Sequence, residues 1–142
     1  MRTVLTNATL IDCVHPAPAA NTAVVIEKGR IAEILRDGRK PQTGDSTVID
    51  LKGAYLLPGL WDVHIHPDYL SLAEMPLADQ VALFGHRLMA ALTESGITGL
   101  RCAGSHHFMD VAWKRAFDSG QYVGPRVYAA GHFLTTTGGH FL

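Results

Sequence analysis

Between Pro58-Gly59 and Pro67 runs Leu60-Trp61-Asp62-Val63-His64-Ile65-His66, an apolar stretch that ends in two histidines one residue apart. The proline-glycine pair marks a turn before it, and Pro67 brings no N–H to a sheet ladder after it. A strand sends successive side chains to opposite faces. Strict alternation predicts Asp62, His64 and His66 on one face and Trp61, Val63 and Ile65 on the other. Side chains two residues apart on a strand are separated by about 7 Å. Two imidazoles so placed at a strand end can converge on one divalent cation or flank two. An isolated His-x-His also arises by chance as an ordinary core or surface pair, so the surrounding chain must decide.

The surrounding chain narrows the choices. Its 142 residues are 47% apolar and 18% charged, which suits one domain with a packed core. A formal charge of −1, with the basic residues scattered, argues against a nucleic-acid partner. No run approaches 18 apolar residues, and Met1-Arg2-Thr3-Val4-Leu5-Thr6-Asn7 lacks the apolar core of a signal peptide. No membrane partner is expected. Cys13 and Cys102 are far apart and have no metal-type spacing. They read as reduced thiols of a cytoplasmic protein.

Taken in order, residues 2–11 suit a strand and 12–21 a Pro/Ala-rich loop. Residues 22–27 and 30–35 are short apolar runs around Lys28-Gly29, which predicts a hairpin. Residues 47–50 and 54–57 around Lys52-Gly53 predict a second hairpin. Residues 1–57 thus read as a small all-β segment with no cluster of chemical groups. From Pro58 the pattern changes. A strand over 59–66 is followed by a loop carrying Asp68 and Glu74. Pro76 then suits the first turn of a helix. Leu77, Val81, Phe84, Leu88 and Leu92 fall on one helical face, and Gly96 caps it. Residues 97–101 form the next strand. A helix opens at His106 or His107 and runs to about Asp118. Residues 126–131 form a third strand, and 133–142 a loop.

Strand, helix, strand, helix, strand predicts an α/β fold with a parallel sheet, whose functional groups gather at the carboxyl ends of the strands. The polar candidates obey this. His64 and His66 end the first strand, Arg101 ends the second, and His132 and His140 follow the third. Asp62 is a candidate to orient an imidazole from behind or to fill a polar layer. Arg101 suits pairing with a carboxylate at the strand ends better than contact with a substrate. His106 and His107 are given no role beyond opening a helix, and His15 and His86 read as surface residues.

Pro58-Gly59-Leu60-Trp61-Asp62-Val63-His64-Ile65-His66 resembles the P-G-h-h-D-x-H-x-H signature of the metal-dependent amidohydrolase superfamily, at the first strand of its barrel. Gly53-Ala54-Tyr55-Leu56-Leu57-Pro58-Gly59 resembles the end of the small β-sandwich domain before that barrel. Glu94-Ser95-Gly96-Ile97-Thr98-Gly99-Leu100-Arg101 is similar to the hxxGhTTVRD segment of the imidazolonepropionase-like and prolidase-like branch. Gly124-Pro125-Arg126-Val127-Tyr128-Ala129-Ala130-Gly131 is similar to its GPRhhxxG, and Thr137-Gly138-Gly139-His140 to its TGGHG. The chain departs from the pattern at Trp61, at Cys102 (usually Asp), at His106-His107 (usually a Gly-rich turn) and at Phe141.

The resemblance implies the first three strands of a TIM-type (β/α)8 barrel over residues 58–142, preceded by a sandwich-like β segment over 1–57. It implies a hydrolase of amide or peptide bonds, acting on dipeptide-like or N-acyl amino acid substrates. One or two divalent ions, zinc above all, would sit on His64 and His66, with His140 binding substrate and Asp62 and Arg101 as supporting candidates. The family's further ligands and its general-base aspartate fall beyond residue 142, so no catalytic residue is expected within this chain. A closed barrel needs about 200 residues or more. The expectation is therefore an N-terminal part completed by a second chain or a C-terminal segment, with the complete enzyme a homo-oligomer. The alternatives are an inactive or scaffolding fragment, and a cyclic-amide hydrolase or deaminase of the same superfamily.

Overall fold

In the computed structural model, which describes residues 1–66 and 74–139, the chain divides into two units, residues 1–58 and residues from Gly59 onward. The first is built from five strands: β1 (Arg2–Leu10), β2 (Ala19–Glu27), β3 (Arg30–Leu35), β4 (Thr47–Asp50) and β5 (Tyr55–Leu56). They form one sheet in the order β3-β2-β1-β4, with β5 also on β1. Lys28 and Gly29 both take positive φ (50° and 73°), the conformation a two-residue hairpin between right-twisted strands requires. Val4, Ala8, Leu10, Ala23, Val24 and Val25 are buried along β1 and β2.

The second expected hairpin does not form. Lys52-Gly53 does turn the chain, but β4 and β5 do not pair with each other. Both run parallel to β1, β4 along Thr3–Thr6 and β5 along Thr9–Leu10. Asn7, at φ 55°, interrupts β1 opposite that turn. Its carbonyl accepts the Gly53 N–H at 2.7 Å, and its side-chain amide donates to Asp50 Oδ1 at 2.8 Å. Turn residues announce a change of direction, but they do not say which strand lies alongside.

The second unit carries β6 (Leu60–Ile65), α1 (Leu77–Ser95), β7 (Ile97–Cys102), α2 (Met109–Asp118) and β8 (Arg126–Tyr128). The three strands form a parallel sheet in the order β6-β7-β8. This is the mixed α/β architecture that the strand-helix alternation predicts. Helix α1 starts after Pro76 and stops at Gly96, which takes the left-handed conformation (φ 66°) and donates its N–H to the last turn. Phe84 and Leu88 from α1, Leu100 from β7, Met109 from α2 and Val127 from β8 form one buried cluster. Each large apolar side chain in it contributes roughly 1.5–3 kcal/mol by leaving water. Leu77, expected on the same helical face, is exposed at the helix start.

The expected helix at His106 or His107 begins later. Residues His106–Phe108 form one turn of 3-10 helix, and His107 and Phe108 both take left-handed φ (53° and 54°) before α2 opens at Met109. Each such residue without glycine's freedom costs roughly 1–2 kcal/mol. Among the described residues no helix is long and apolar enough to cross a membrane.

Candidate metal centre

The site lies where β6 and β7 end. Parallel register sets Trp61 against Gly99, Asp62 against Leu100 and Ile65 against Cys102. Three steps on β6 therefore match two on β7, a bulge between Asp62 and Ile65. Leu100 and Cys102 are buried beneath the helices, so Asp62 and Ile65 both face that layer. Together with Phe84, Arg87, Leu88 and Leu100 they line one small cavity beside α1. This corrects the strict alternation, which puts Asp62 and Ile65 on opposite faces. On the other face the Trp61 indole lies over Gly99 and beside the Tyr128 ring, 5.6 Å between centroids.

His64, within the bulge, and His66, just past the strand, meet. His64 Nε2 lies 3.1 Å from His66 Nε2. His66 Nδ1 lies 3.2 Å from the Gly104 carbonyl oxygen, which can only accept. Nδ1 is therefore the donor in that contact, and Nε2 faces His64. Metal-ligating histidines in general have their ring orientation and tautomer set by a carbonyl or carboxylate partner of this kind. Two nitrogens about 2.0–2.1 Å from one tetrahedral ion stand roughly 3.3 Å apart. The observed separation fits a shared ion. Among the described residues no group of three His, Cys, Asp or Glu side chains gathers to hold a metal, and the pair offers two nitrogens where a tetrahedral ion takes four ligands.

The supporting candidates act on the backbone. Asp62 Oδ1 accepts the backbone N–H of His64 at 3.1 Å and so braces the bulge, rather than orienting an imidazole. Arg101 Nε donates to the Val63 carbonyl at 2.6 Å. That bond ties β7 to the bulged end of β6 in place of the expected carboxylate pair. His140 lies outside the described residues.

Tertiary contacts bring in groups that the sequence pattern does not single out. The Phe133 ring packs against His66 at 5.3 Å between centroids and against His106 at 5.2 Å. Gly104, at φ 145°, leaves room for it: a Cβ there would lie 2.3 Å from Phe133 Cδ1. His132 packs edge-on against Phe108 at 4.2 Å. Clustering of His106, Phe108, His132 and Phe133 just after strand ends is the signal that a search of the post-strand loops would have caught.

The proteins that this fold and these strand-end residues resemble are amidohydrolases, and the chain matches an N-terminal portion of them. It is 34% identical over 131 residues to ochratoxinase of Aspergillus niger, a match covering 87% of this chain and 27% of that protein. It superposes with a TM-score of 0.84 on the crystal structure of a Xaa-Pro dipeptidase with bound methionine, at 30% identity, covering 99% of this chain and 36% of that one. A second amidohydrolase structure gives a TM-score of 0.81 at 30% identity, covering 99% and 34%. The chain thus spans 27% to 36% of the length of these proteins. No protein-family model matches it.

Proposed function

We propose that this chain supplies the His64–His66 half of a divalent-metal centre, zinc in the first instance, in a hydrolase of amide or peptide bonds. The observation that carries the reading is the 3.1 Å approach of the two Nε2 atoms, with His66 held by the Gly104 carbonyl. A bound ion would lower the pKa of a water and polarise the scissile carbonyl. The chain's own residues present two imidazole Nε2 atoms at the end of β6, and the proton they share in the metal-free pair would leave when an ion binds. Asp62 and Arg101 brace the backbone beneath them. His140, after the third strand, is proposed to hold the substrate's carboxylate or carbonyl oxygen.

The substrate class proposed is dipeptide-like or N-acyl amino acid. It rests on the 124–131 and 137–140 sequence matches and on likeness to a Xaa-Pro dipeptidase and to ochratoxinase. The three parallel strands are read as the opening strands of a (β/α)8 barrel, and the first unit as part of the β domain that precedes it. An uncovered face supports this. Trp61, Val63 and Tyr128 are each about half exposed on a parallel sheet, a sheet type normally covered on both sides. Further polypeptide, from the same chain or a partner, is proposed to cover that face and to add the remaining ligands and the general base.

The test is metal content and hydrolysis of N-acyl amino acids and Xaa-Pro dipeptides by the complete protein. Stoichiometric zinc, and its loss together with activity in the His64→Ala/His66→Ala variant, is the expected result. Full metal content and full activity in that variant would overturn the proposal.

A further inference from the structure

We propose that Phe133 is a positioning residue for His66, and that the buried carboxylate of Asp110 is what seats it. The proposal rests on the reading of His66 as a metal ligand. Phe133 lies 67 positions from His66 in sequence, in the segment after β8, yet its ring covers the His66 imidazole at 5.3 Å with 35° between planes. The same ring lies on the bare Cα of Gly104, the residue whose carbonyl takes the His66 Nδ1 proton. Phe133 thus touches both the ring and the peptide that orients it. A residue that could not occupy this position would free the Gly104 peptide and the imidazole together.

Phe133 is placed by the backbone two residues before it. Asp110, in the first turn of α2, is fully buried. Its Oδ2 accepts the N–H of Gly131 at 3.0 Å, and its Oδ1 accepts the N–H of Val111 at 2.8 Å. Burying a carboxylate is costly unless charge-assisted hydrogen bonds and a helix N-terminus compensate it. Both are present here. The Gly131 carbonyl in turn accepts the N–H of the fully buried Ser105 at 2.8 Å. Gly131, at φ 77°, is therefore clamped on both sides, to α2 through Asp110 and to the post-β7 loop through Ser105. That loop also carries Gly104. The carboxylate thus fixes Gly131, and the Gly131 carbonyl fixes Ser105, so the segments 104–105 and 131–133 that meet on His66 are held by one chain of hydrogen bonds.

The role predicts a signature that packing alone does not. The complete protein is compared as wild type, Phe133→Leu, Phe133→Tyr, Asp110→Asn and His66→Ala. Zinc affinity is measured by competition, and the ring-nitrogen shifts of His66 by NMR on the metal-free protein. Phe133→Leu keeps apolar bulk and is expected to weaken zinc ten- to hundredfold, the usual effect of losing outer-sphere support. It should also move the His66 shifts toward a mixture of tautomers. Phe133→Tyr keeps the ring and should restore both. Asp110→Asn loses one of two acceptors, because an amide nitrogen must face an N–H, and should act in the same direction as Phe133→Leu. A lower melting temperature with zinc affinity and His66 shifts unchanged would overturn the proposal, leaving both residues as packing only. His66→Ala separates the two layers: if it leaves zinc binding intact, the metal reading itself fails; if it abolishes binding, the metal reading stands and the other variants judge the positioning role.

Discussion

His64 and His66 bring their Nε2 atoms to 3.1 Å although strict alternation on a flat strand would hold their side chains about 7 Å apart. The bulge between Asp62 and Ile65 and the position of His66 one residue past the strand account for the difference. In His64→Ala and in His66→Ala, the metal content of the complete protein is expected to fall below one tenth of wild type. Circular dichroism should be unchanged, because His64 is exposed and neither ring belongs to the buried cluster. Elemental analysis after gel filtration checks this.

Gly104→Ala meets two obstacles. Its φ of 145° disfavours any side chain, and its Cβ would fall 2.3 Å from the Phe133 ring. The expected loss is about 1–3 kcal/mol of stability from backbone strain and overpacking. Urea denaturation of the metal-free protein measures it. The Phe133 ring must shift to admit the methyl group, so metal affinity should fall as well.

Gly85 and Trp113 make a comparable contact between the two helices. A Cβ on Gly85 would lie 1.7 Å from Trp113 Cζ2, and the indole N–H donates to the Val81 carbonyl at 2.9 Å. Gly85→Ala is expected to cost about 1–3 kcal/mol. Trp113→Leu is expected to cost at least as much by losing buried area and that hydrogen bond. In the double variant the clash is gone, so the two losses should sum to more than the measured total. A double-mutant cycle by chemical denaturation reads the difference.

The first unit carries a pH-dependent contact. The Asp12 carboxylate accepts the backbone N–H groups of His15 (2.9 Å) and Val14 (3.0 Å), and also faces the Arg36 guanidinium and His15 Nδ1. These bonds, the backbone pair foremost, hold its carboxyl well below the usual carboxylate range. Asp50 shifts the same way, chiefly through the Lys52 N–H and then the Asn7 amide. A folded-state value below the unfolded one means stability that is present above the ordinary carboxylate pKa of about 4 and is lost as pH falls below it. Asp12→Asn should therefore destabilise the protein at pH 7. Its difference from wild type should shrink steadily as pH drops from about 4 to 2, followed by chemical denaturation across that range.

Much of this was legible in the residues. The helical spacing of Val81, Phe84 and Leu88, the left-handed stop at Gly96 and the two punctuated strands after it are short-range signals, and the structure repeats them, except that the strand expected over 126–131 ends at Tyr128. So is the pairing of Lys28-Gly29 with a hairpin. These features depend on neighbours within a few positions, where steric preference and hydrophobic period act directly.

What failed to show had partners far along the chain. Strict alternation could not foresee that a bulge turns Asp62 toward α1, because the extra residue is visible only against β7. The Lys52-Gly53 turn could not reveal that β4 and β5 both lie along β1. His106 had no assignable role until Phe133 packed on it from another loop.

The sequence by itself determined the α/β order, the family likeness and the placing of His64 and His66 at a strand end, because period, turn chemistry and motif are local properties. Only the tertiary structure decided that the two imidazoles converge, that Gly104 sets the His66 tautomer and that Asp110 ties together the segments around it. The Gly104, Asp110 and Phe133 contacts join residues 21 to 67 positions apart, and the bulge that brings the two imidazoles together exists only against β7, so nothing short of the folded backbone specifies them.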